Sequence, residues 1–98
     1  MGPVVGLDIG TTAVKAVAFD DTGRPVASAR RPSGFAIPRP GWAETDMEAL
    51  WRTCADTLLE LGGALRARGQ EPATLGISGY MGGAWLLDAA MRPVRPGI

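Results

Sequence analysis

The residues near the start of the chain have the types and spacing needed to handle a phosphate and a metal ion. Asp8 ends an apolar run, a Gly10-Thr11-Thr12 turn follows, and Lys15 comes shortly after. A carboxylate at a strand end can hold a hydrated Mg²⁺, an ion that keeps several of its waters. The glycine lets turn amides approach an anion, and the two threonines add hydroxyl donors. Lys15 adds a positive charge for a transferring phosphoryl group.

The same pattern is compatible with a plain hairpin in which the turn only makes a corner and Asp8 is solvated, because short Asp-x-Gly patterns are common. It is not a Walker-type loop, since Gly-x-x-x-x-Gly-Lys-Ser/Thr is absent and the turn joins two predicted strands. The chain contains no histidine and one cysteine, Cys54. A zinc site or a Cys–His catalytic pair within it is therefore excluded.

Composition indicates one small globular domain or a piece of a larger one, since the chain has 98 residues of which 46% are hydrophobic. Ten basic and ten acidic side chains balance, so we expect neither nucleic acid nor a membrane surface as a partner. The chain starts without a basic, signal-like segment and has no apolar run of membrane-spanning length. We therefore expect a cytoplasmic location.

Apolar and β-branched runs predict strands at Val4–Ile9, Ala13–Phe19 and Val26–Arg30, joined by turns into an antiparallel meander. A long irregular stretch at 32–44 follows, and loops of this length are often functional. Leu75–Ser78 is predicted as a fourth strand and Ala84–Asp88 as a short fifth one that begins a hairpin.

One helix is predicted after the long loop. Thr45-Asp46-Met47-Glu48 has the pattern of a capping box in which the Thr hydroxyl caps and Glu48 reaches back. Apolar residues then recur at helical spacing at Leu50, Cys54, Leu58, Leu61 and Leu65. Gly62-Gly63 weakens the helix, which either stops there or continues to Gly69. Cys54 is expected in the core.

The tryptophans divide into two expectations. We expect Trp42 and Trp51 to anchor the long loop against the helix, because aromatic anchors bury large areas. Trp85 fits equally a place in the core or in a pocket wall.

Three blocks of the sequence resemble known proteins. The block from Val5 to Asp20 (VGLDIGTTAVKAVAFD) resembles the first phosphate-binding hairpin of the actin-like ATPase and sugar-kinase superfamily. The block from Pro38 to Asp46 (PRPGWAETD) resembles the stretch that leads into the first helix of FGGY carbohydrate kinases. The block from Leu75 to Asp88 (LGISGYMGGAWLLD) resembles their sugar-proximal strand and hairpin. The blocks follow the order found in the family and cover nearly the whole chain. The chain therefore resembles the xylulose kinase-like members of the FGGY family.

The resemblance implies an incomplete ribonuclease-H-like α/β domain: a three-stranded antiparallel meander, a long loop, one helix, a further strand and a short hairpin. Residues 1–98 would be the truncated N-terminal part of the first kinase domain, with the first strand beside Leu75–Ser78. Such a segment leaves an apolar edge and sheet face uncovered. We therefore expect the isolated chain to be poorly soluble or to oligomerise.

The resemblance also implies site residues. Asp8 is expected to hold Mg²⁺, and Gly10, Thr11, Thr12 and Lys15 are expected to bind the phosphates of ATP. Xylulose kinases commonly read Gly-Gln-Met-His-Gly where this chain has residues 79–83, so Tyr80, Met81 and Gly82 are the expected substrate-binding residues. Tyr and Gly thus replace Gln and His, which changes the groups that recognise sugar hydroxyls. Packing beneath the sheet is the alternative role for Tyr80 and Met81.

The implied function is transfer of the ATP γ-phosphate to a hydroxyl of a xylulose-like ketose or a polyol. The general-base Asp of the family is expected beyond Ile98, so the isolated chain is expected to be inactive. The alternative is a non-enzymatic half-domain that binds phosphate, a nucleotide or a partner chain. The sequence leaves open which sugar is used and whether the full-length protein is a homodimer.

Overall fold

A computed structural model describes residues 2–80 and 82–98 of the chain. Its elements are β1 (Val4–Ile9), β2 (Ala13–Phe19), β3 (Pro25–Pro32), α1 (Met47–Ala67) and β4 (Thr74–Ser78). The bounds of β1 and β2 are those predicted from the sequence. The third strand extends the predicted one at both ends, and the fourth begins one residue earlier than predicted.

The four strands form one mixed sheet in the order β3-β2-β1-β4. β2 lies antiparallel to both β1 and β3, which confirms the predicted meander. β4 pairs with β1, as the resemblance implies, and runs parallel to it. In a parallel pair the carboxyl ends meet at one sheet edge. The turn after β1 and the residues after β4 therefore lie at the same edge.

One face of the sheet is covered by α1. Alternate residues of each strand point to opposite faces, so Val5 and Leu7 share the covered face. They pack with Cys54, Leu61 and Leu65 of the helix, and the predicted core position of Cys54 is confirmed. Alanines on β2 and β3 let the helix approach closely. These buried alanines are Ala16, Ala18 and Ala29.

The helix begins one residue later than the capping-box prediction requires. Asp46 is the N-cap, and its Oδ1 accepts a hydrogen bond of 3.0 Å from the Ala49 amide. Thr45 is buried instead, and its amide and carbonyl both pair with Gly97 at 2.8 Å. Glu48 therefore lies in the first turn, where its charge favours the helix dipole, and the predicted Thr45 cap is wrong.

The helix runs through Gly62-Gly63 and ends at Ala67. Gly69 has φ +68°, and its amide donates to the Arg66 carbonyl at 2.9 Å. The Gln70 amide donates to the Leu65 carbonyl at 2.9 Å, which completes a Schellman motif. Burial of Leu65 and this glycine cap outweigh the low helix propensity of Gly62-Gly63. No helix in residues 2–80 or 82–98 is long and apolar enough to cross a membrane.

Residues 84–98 form an irregular hairpin, and the predicted strand Ala84–Asp88 is absent from it. Ala84 and Ile98 exchange two backbone hydrogen bonds of 2.8 and 3.0 Å, and Leu87 forms an isolated bridge with Pro93. Pro93 and Pro96 have no amide hydrogen, so the pairing cannot continue as a regular ladder. The hairpin implied by the resemblance is present, but as separate bridges.

The turn of this hairpin has no glycine, and Met91 takes the left-handed conformation with φ +62°. Asp88 compensates through its side chain. Its Oδ1 accepts hydrogen bonds from the amides of Ala90 and Arg92, at 2.8 and 2.9 Å. An Asp at the start of a turn therefore does part of what a glycine would otherwise do.

The long loop is closed by its own backbone. Ala36 and Glu44 exchange two hydrogen bonds of 2.7 and 2.9 Å. Between them, the Trp42 amide donates to the Arg39 carbonyl across Pro40 and Gly41, whose φ of +81° makes a type II turn. The side chains of Trp42 and Trp51 are exposed, so the prediction that they anchor this loop against the helix is wrong.

Candidate phosphate and substrate site

Asp8 and Lys15 lie directly opposite each other on β1 and β2. Their side chains therefore share the sheet face opposite α1. The Lys15 Nζ lies 3.9 Å from the Asp8 Oδ2, and the side chains are 50% and 56% exposed, respectively. The same register places Ser78 of β4 on the other side of Asp8. A carboxylate thus lies between a hydroxyl and an ammonium group, all reachable from solvent.

The Gly10-Thr11-Thr12 turn continues from this row of side chains. The Gly10 amide donates to the Ala13 carbonyl at 3.0 Å, and a Cβ at Gly10 would lie 2.7 Å from that oxygen. Glycine is therefore required there by close backbone approach. Thr11 and Thr12 are exposed. In the part of the chain that the structure describes, their amides donate to no protein acceptor, so they can receive an anion.

The Asp8 carboxylate has the chemistry to hold Mg²⁺. This ion binds through one or two carboxylates and keeps several waters, so a full cage of protein ligands is unnecessary. Within residues 2–80 and 82–98 no three His, Cys, Asp or Glu side chains form a metal-binding group. A single half-exposed carboxylate beside hydroxyl groups fits a hydrated ion better than a structural metal.

A shallow depression of about 610 Å³ extends from these groups over the uncovered sheet face. Asp8, Lys15 and Ser78 form its polar end, while Val17 and Phe19 line the apolar remainder. The polar end lies nearest the turn. Charged ligand groups are therefore expected at that end of the sheet, and apolar contact elsewhere.

The expected substrate residues follow β4 at the same sheet edge. The Tyr80 ring packs against Trp85 with centroids 5.7 Å apart and planes at 45°. Gly82 is exposed, and a Cβ there would meet no atom within 4 Å. Met81 lies outside the described residues. Tyr80 is half-buried, and its ring contact with Trp85 is consistent with a packing role.

Trp85 lies at the surface, which excludes the core position left open by the sequence. It contacts Gly97 so closely that a Cβ on Gly97 would approach its ring to 2.7 Å. A second cavity of about 320 Å³ lies between the long loop and the end of the hairpin. Its lining residues are Gly41, Trp42, Ala43, Glu44, Arg95 and Ile98.

Two residues important to this region carried no sequence signal. Arg95 forms an ion pair with Glu44, with Nη2 and Oε1 3.1 Å apart. Ser33 donates its hydroxyl to the Gly10 carbonyl at 2.8 Å. Each contact joins residues far apart in the chain, so no local spacing could reveal it. An arginine near a proline-rich hairpin or a serine after a strand otherwise resembles any solvated residue.

Comparisons with known proteins agree with this geometry. A family model described as "FGGY family of carbohydrate kinases, N-terminal domain" matches residues 3–98. The chain is 34% identical over 91 residues to the erythritol kinase of Brucella abortus and 36% identical over 94 residues to the xylulose kinase of Escherichia coli. These alignments cover 93% and 96% of the chain but 18% and 19% of those enzymes.

The crystal structure of xylulose kinase from Rhodospirillum rubrum superposes with a TM-score of 0.90 and 34% identity. It covers 97% of this chain, which in turn covers 20% of that protein. A mixed sheet with a helix on one face and a Gly-Thr-Thr turn after an acidic strand end therefore defines part of an actin-like ATPase and sugar-kinase fold. The chain belongs to the FGGY family of carbohydrate kinases. It spans about one fifth of the length of these relatives.

Proposed function

We propose that this chain is the N-terminal part of the first domain of an ATP-dependent sugar or polyol kinase. The observation that carries this proposal is the Asp8–Lys15 pair next to a turn whose Thr11 and Thr12 amides are available to an anion. Transfer of a phosphoryl group needs mainly positioning and neutralisation of charge. A carboxylate, an ammonium group and open amides at one sheet edge provide both.

Each residue has a distinct proposed role. Asp8 would hold Mg²⁺, and the ion would supply positive charge that offsets the charge of the phosphate oxygens. Gly10 lets the turn approach the γ-phosphate of ATP, which Thr11 and Thr12 bind through amides and hydroxyls. Lys15 stabilises the charge on the transferring group. The general base that deprotonates the acceptor hydroxyl is proposed to lie beyond Ile98, so the isolated chain is proposed to be inactive.

The acceptor is proposed to be a ketose or polyol bound near Tyr80, Met81 and Gly82. Relatives named for xylulose and erythritol support this substrate class. Gly82 offers no hydrogen-bonding side chain and leaves open space, so the site accepts a larger or differently placed acceptor. We further propose that the enzyme acts in the cytoplasm, where ATP is supplied.

The test is ADP release by the protein expressed from its complete gene, with Mg²⁺–ATP and a panel of ketoses and polyols. Asp8→Asn and Lys15→Met are each expected to lower kcat by about 10²-fold or more, as loss of charge stabilisation does elsewhere. Asp21→Asn is the matched control, because Asp21 is an exposed carboxylate in the turn between β2 and β3. Absence of ADP release with every acceptor, or full activity of Asp8→Asn, would overturn the proposal.

A further inference from the structure

Ser33 clamps the Gly10-Thr11-Thr12 turn from the side. It follows the last residue of β3, and its Oγ donates to the Gly10 carbonyl at 2.8 Å. Its amide donates to the Thr12 carbonyl at 3.0 Å. One residue therefore holds the carbonyl groups at both ends of the turn, 23 positions away from Gly10 in the sequence.

The turn needs such support because its own residues do not form a self-sufficient hairpin loop. Two-residue hairpin loops are most stable as type I′ or II′ turns, which require positive φ at one or both central residues. Neither Thr11 nor Thr12 has positive φ, as expected for β-branched residues. The Gly10 carbonyl accepts its bond from the Ser33 hydroxyl.

The two hydrogen bonds also decide which groups of the turn face solvent. A carbonyl oxygen directed at an incoming phosphate repels it, whereas an amide attracts it. Engagement of the Gly10 and Thr12 carbonyls by Ser33 directs these oxygens toward the β3 side of the turn. Without the clamp, the peptide groups of the turn can rotate and present an oxygen to the anion.

We propose that Ser33 is a positioning residue that keeps the amides of Thr11 and Thr12 directed at the nucleotide phosphate. This inference rests on the proposed kinase function and adds to it a residue outside the Asp-x-Gly-Thr-Thr block. Ser33 touches neither substrate in this scheme. It acts on affinity for ATP through the conformation of the turn.

The experiment compares three variants of the complete enzyme. Ser33→Ala is expected to raise KM for ATP about three- to tenfold, the effect of losing one hydrogen bond, with KM for the sugar unchanged. Ser33→Thr keeps the hydroxyl and is expected to restore the wild-type KM for ATP. Ser28→Ala is the control, because Ser28 lies on β3, is exposed and makes no side-chain hydrogen bond within the described residues.

A wild-type KM for ATP in Ser33→Ala overturns the inference, and so does an equal rise in both KM values that threonine does not reverse. If the wild-type enzyme itself releases no ADP, the proposed function fails instead. The inference is then decided by the NMR signals of Thr11 and Thr12 during titration with Mg²⁺–ATP. Shifts that are lost in Ser33→Ala and kept in Ser33→Thr support it, and any other result overturns it.

Discussion

Glu44 and Arg95 are 51 residues apart in the sequence and form an ion pair with Oε1 and Nη2 3.1 Å apart. The Glu44 side chain is 17% exposed and that of Arg95 is 36% exposed, so the pair is partly shielded from water. The pair ties the long loop to the last residues of the hairpin. Next to it, Thr45 and Gly97 exchange two backbone hydrogen bonds, which places the ion pair at the end of a small bridge.

Arg95→Ala is expected to loosen this bridge. Loss of a charged hydrogen bond in a partly shielded place costs about 1 kcal/mol or slightly more, so the Thr45 and Gly97 amides exchange roughly five- to tenfold faster. Hydrogen exchange of these two amides is the measurement. Arg92→Ala is the matched control, since its ion pair with Asp88 is 3.7 Å long with a 78% exposed arginine. The prediction would be contradicted if both substitutions changed the exchange rates of the Thr45 and Gly97 amides equally.

Gly10→Ala is expected to destabilise the turn, because the added Cβ would lie 2.7 Å from the Ala13 carbonyl oxygen and backbone cannot easily move away. We expect a loss of about 1–3 kcal/mol in unfolding free energy. Urea unfolding followed by circular dichroism measures it. Gly34→Ala serves for comparison, because a Cβ at Gly34 meets nothing within 4 Å. An unchanged unfolding free energy in Gly10→Ala would show that the turn does not require glycine at this position.

The carboxyl of Asp20 links stability to pH. The Thr22 hydroxyl, 2.6 Å from Oδ1, and then the Arg24 amide hold the pKa of this carboxyl below its ordinary value of 3.8. A carboxyl whose pKa is lower in the folded protein than in the unfolded chain stabilises the fold at any pH above its unfolded-state pKa. This stabilisation is lost as the pH falls through the pKa of the folded state. Thr22→Ala is expected to raise the pKa of Asp20 toward 3.8, whereas Thr22→Ser leaves it low. A ¹³C NMR titration of the Asp20 carboxyl in the two variants measures this pKa. Equal pKa values in both variants would contradict the prediction.

Gly82→His is expected to change substrate preference and leave the fold intact. The position is exposed, and a Cβ there would meet no atom within 4 Å, so there is room for a side chain. A histidine adds a hydrogen-bonding side chain at a proposed substrate-binding position. We expect the ratio of kcat/KM for D-xylulose to that for the preferred acceptor to rise about tenfold. Gly34→Ala should not alter the ratio; an unchanged ratio in Gly82→His would place the acceptor elsewhere.

Local patterns were sufficient to predict most of the fold. The spacing of apolar residues predicts closely where β1, β2 and α1 lie in the chain. This works because the buried face of a strand or helix requires apolar residues at a regular spacing. The sequence block around Asp8 also singled out two residues, Asp8 and Lys15, whose side chains lie close together in the structure. Asp8 and Lys15 lie opposite each other because of the register of β1 and β2, which the short Gly10-Thr11-Thr12 turn joins.

Contacts between distant segments could not be predicted in this way. Thr45 and Asp46 are both good N-cap residues, and the choice between them depends on Gly97, which engages the Thr45 backbone. Ser33 contacts the Gly10 carbonyl only because the pairing of β3 with β2 places it beside the turn. The exposure of Trp51 also depends on distant contacts. The long loop is held by the ion pair of Glu44 and by backbone bridges, and the Trp51 side chain does not pack against it.

The residue that caps α1 directly follows the one that pairs with Gly97, with no flexible spacer between them. Gly97 in turn supports the Trp85 ring, on which Tyr80 rests. These contacts connect the start of α1 with the Tyr80–Trp85 pair through Thr45 and Gly97. Substitutions that shift the start of α1 are therefore expected to alter the packing of Tyr80 against Trp85.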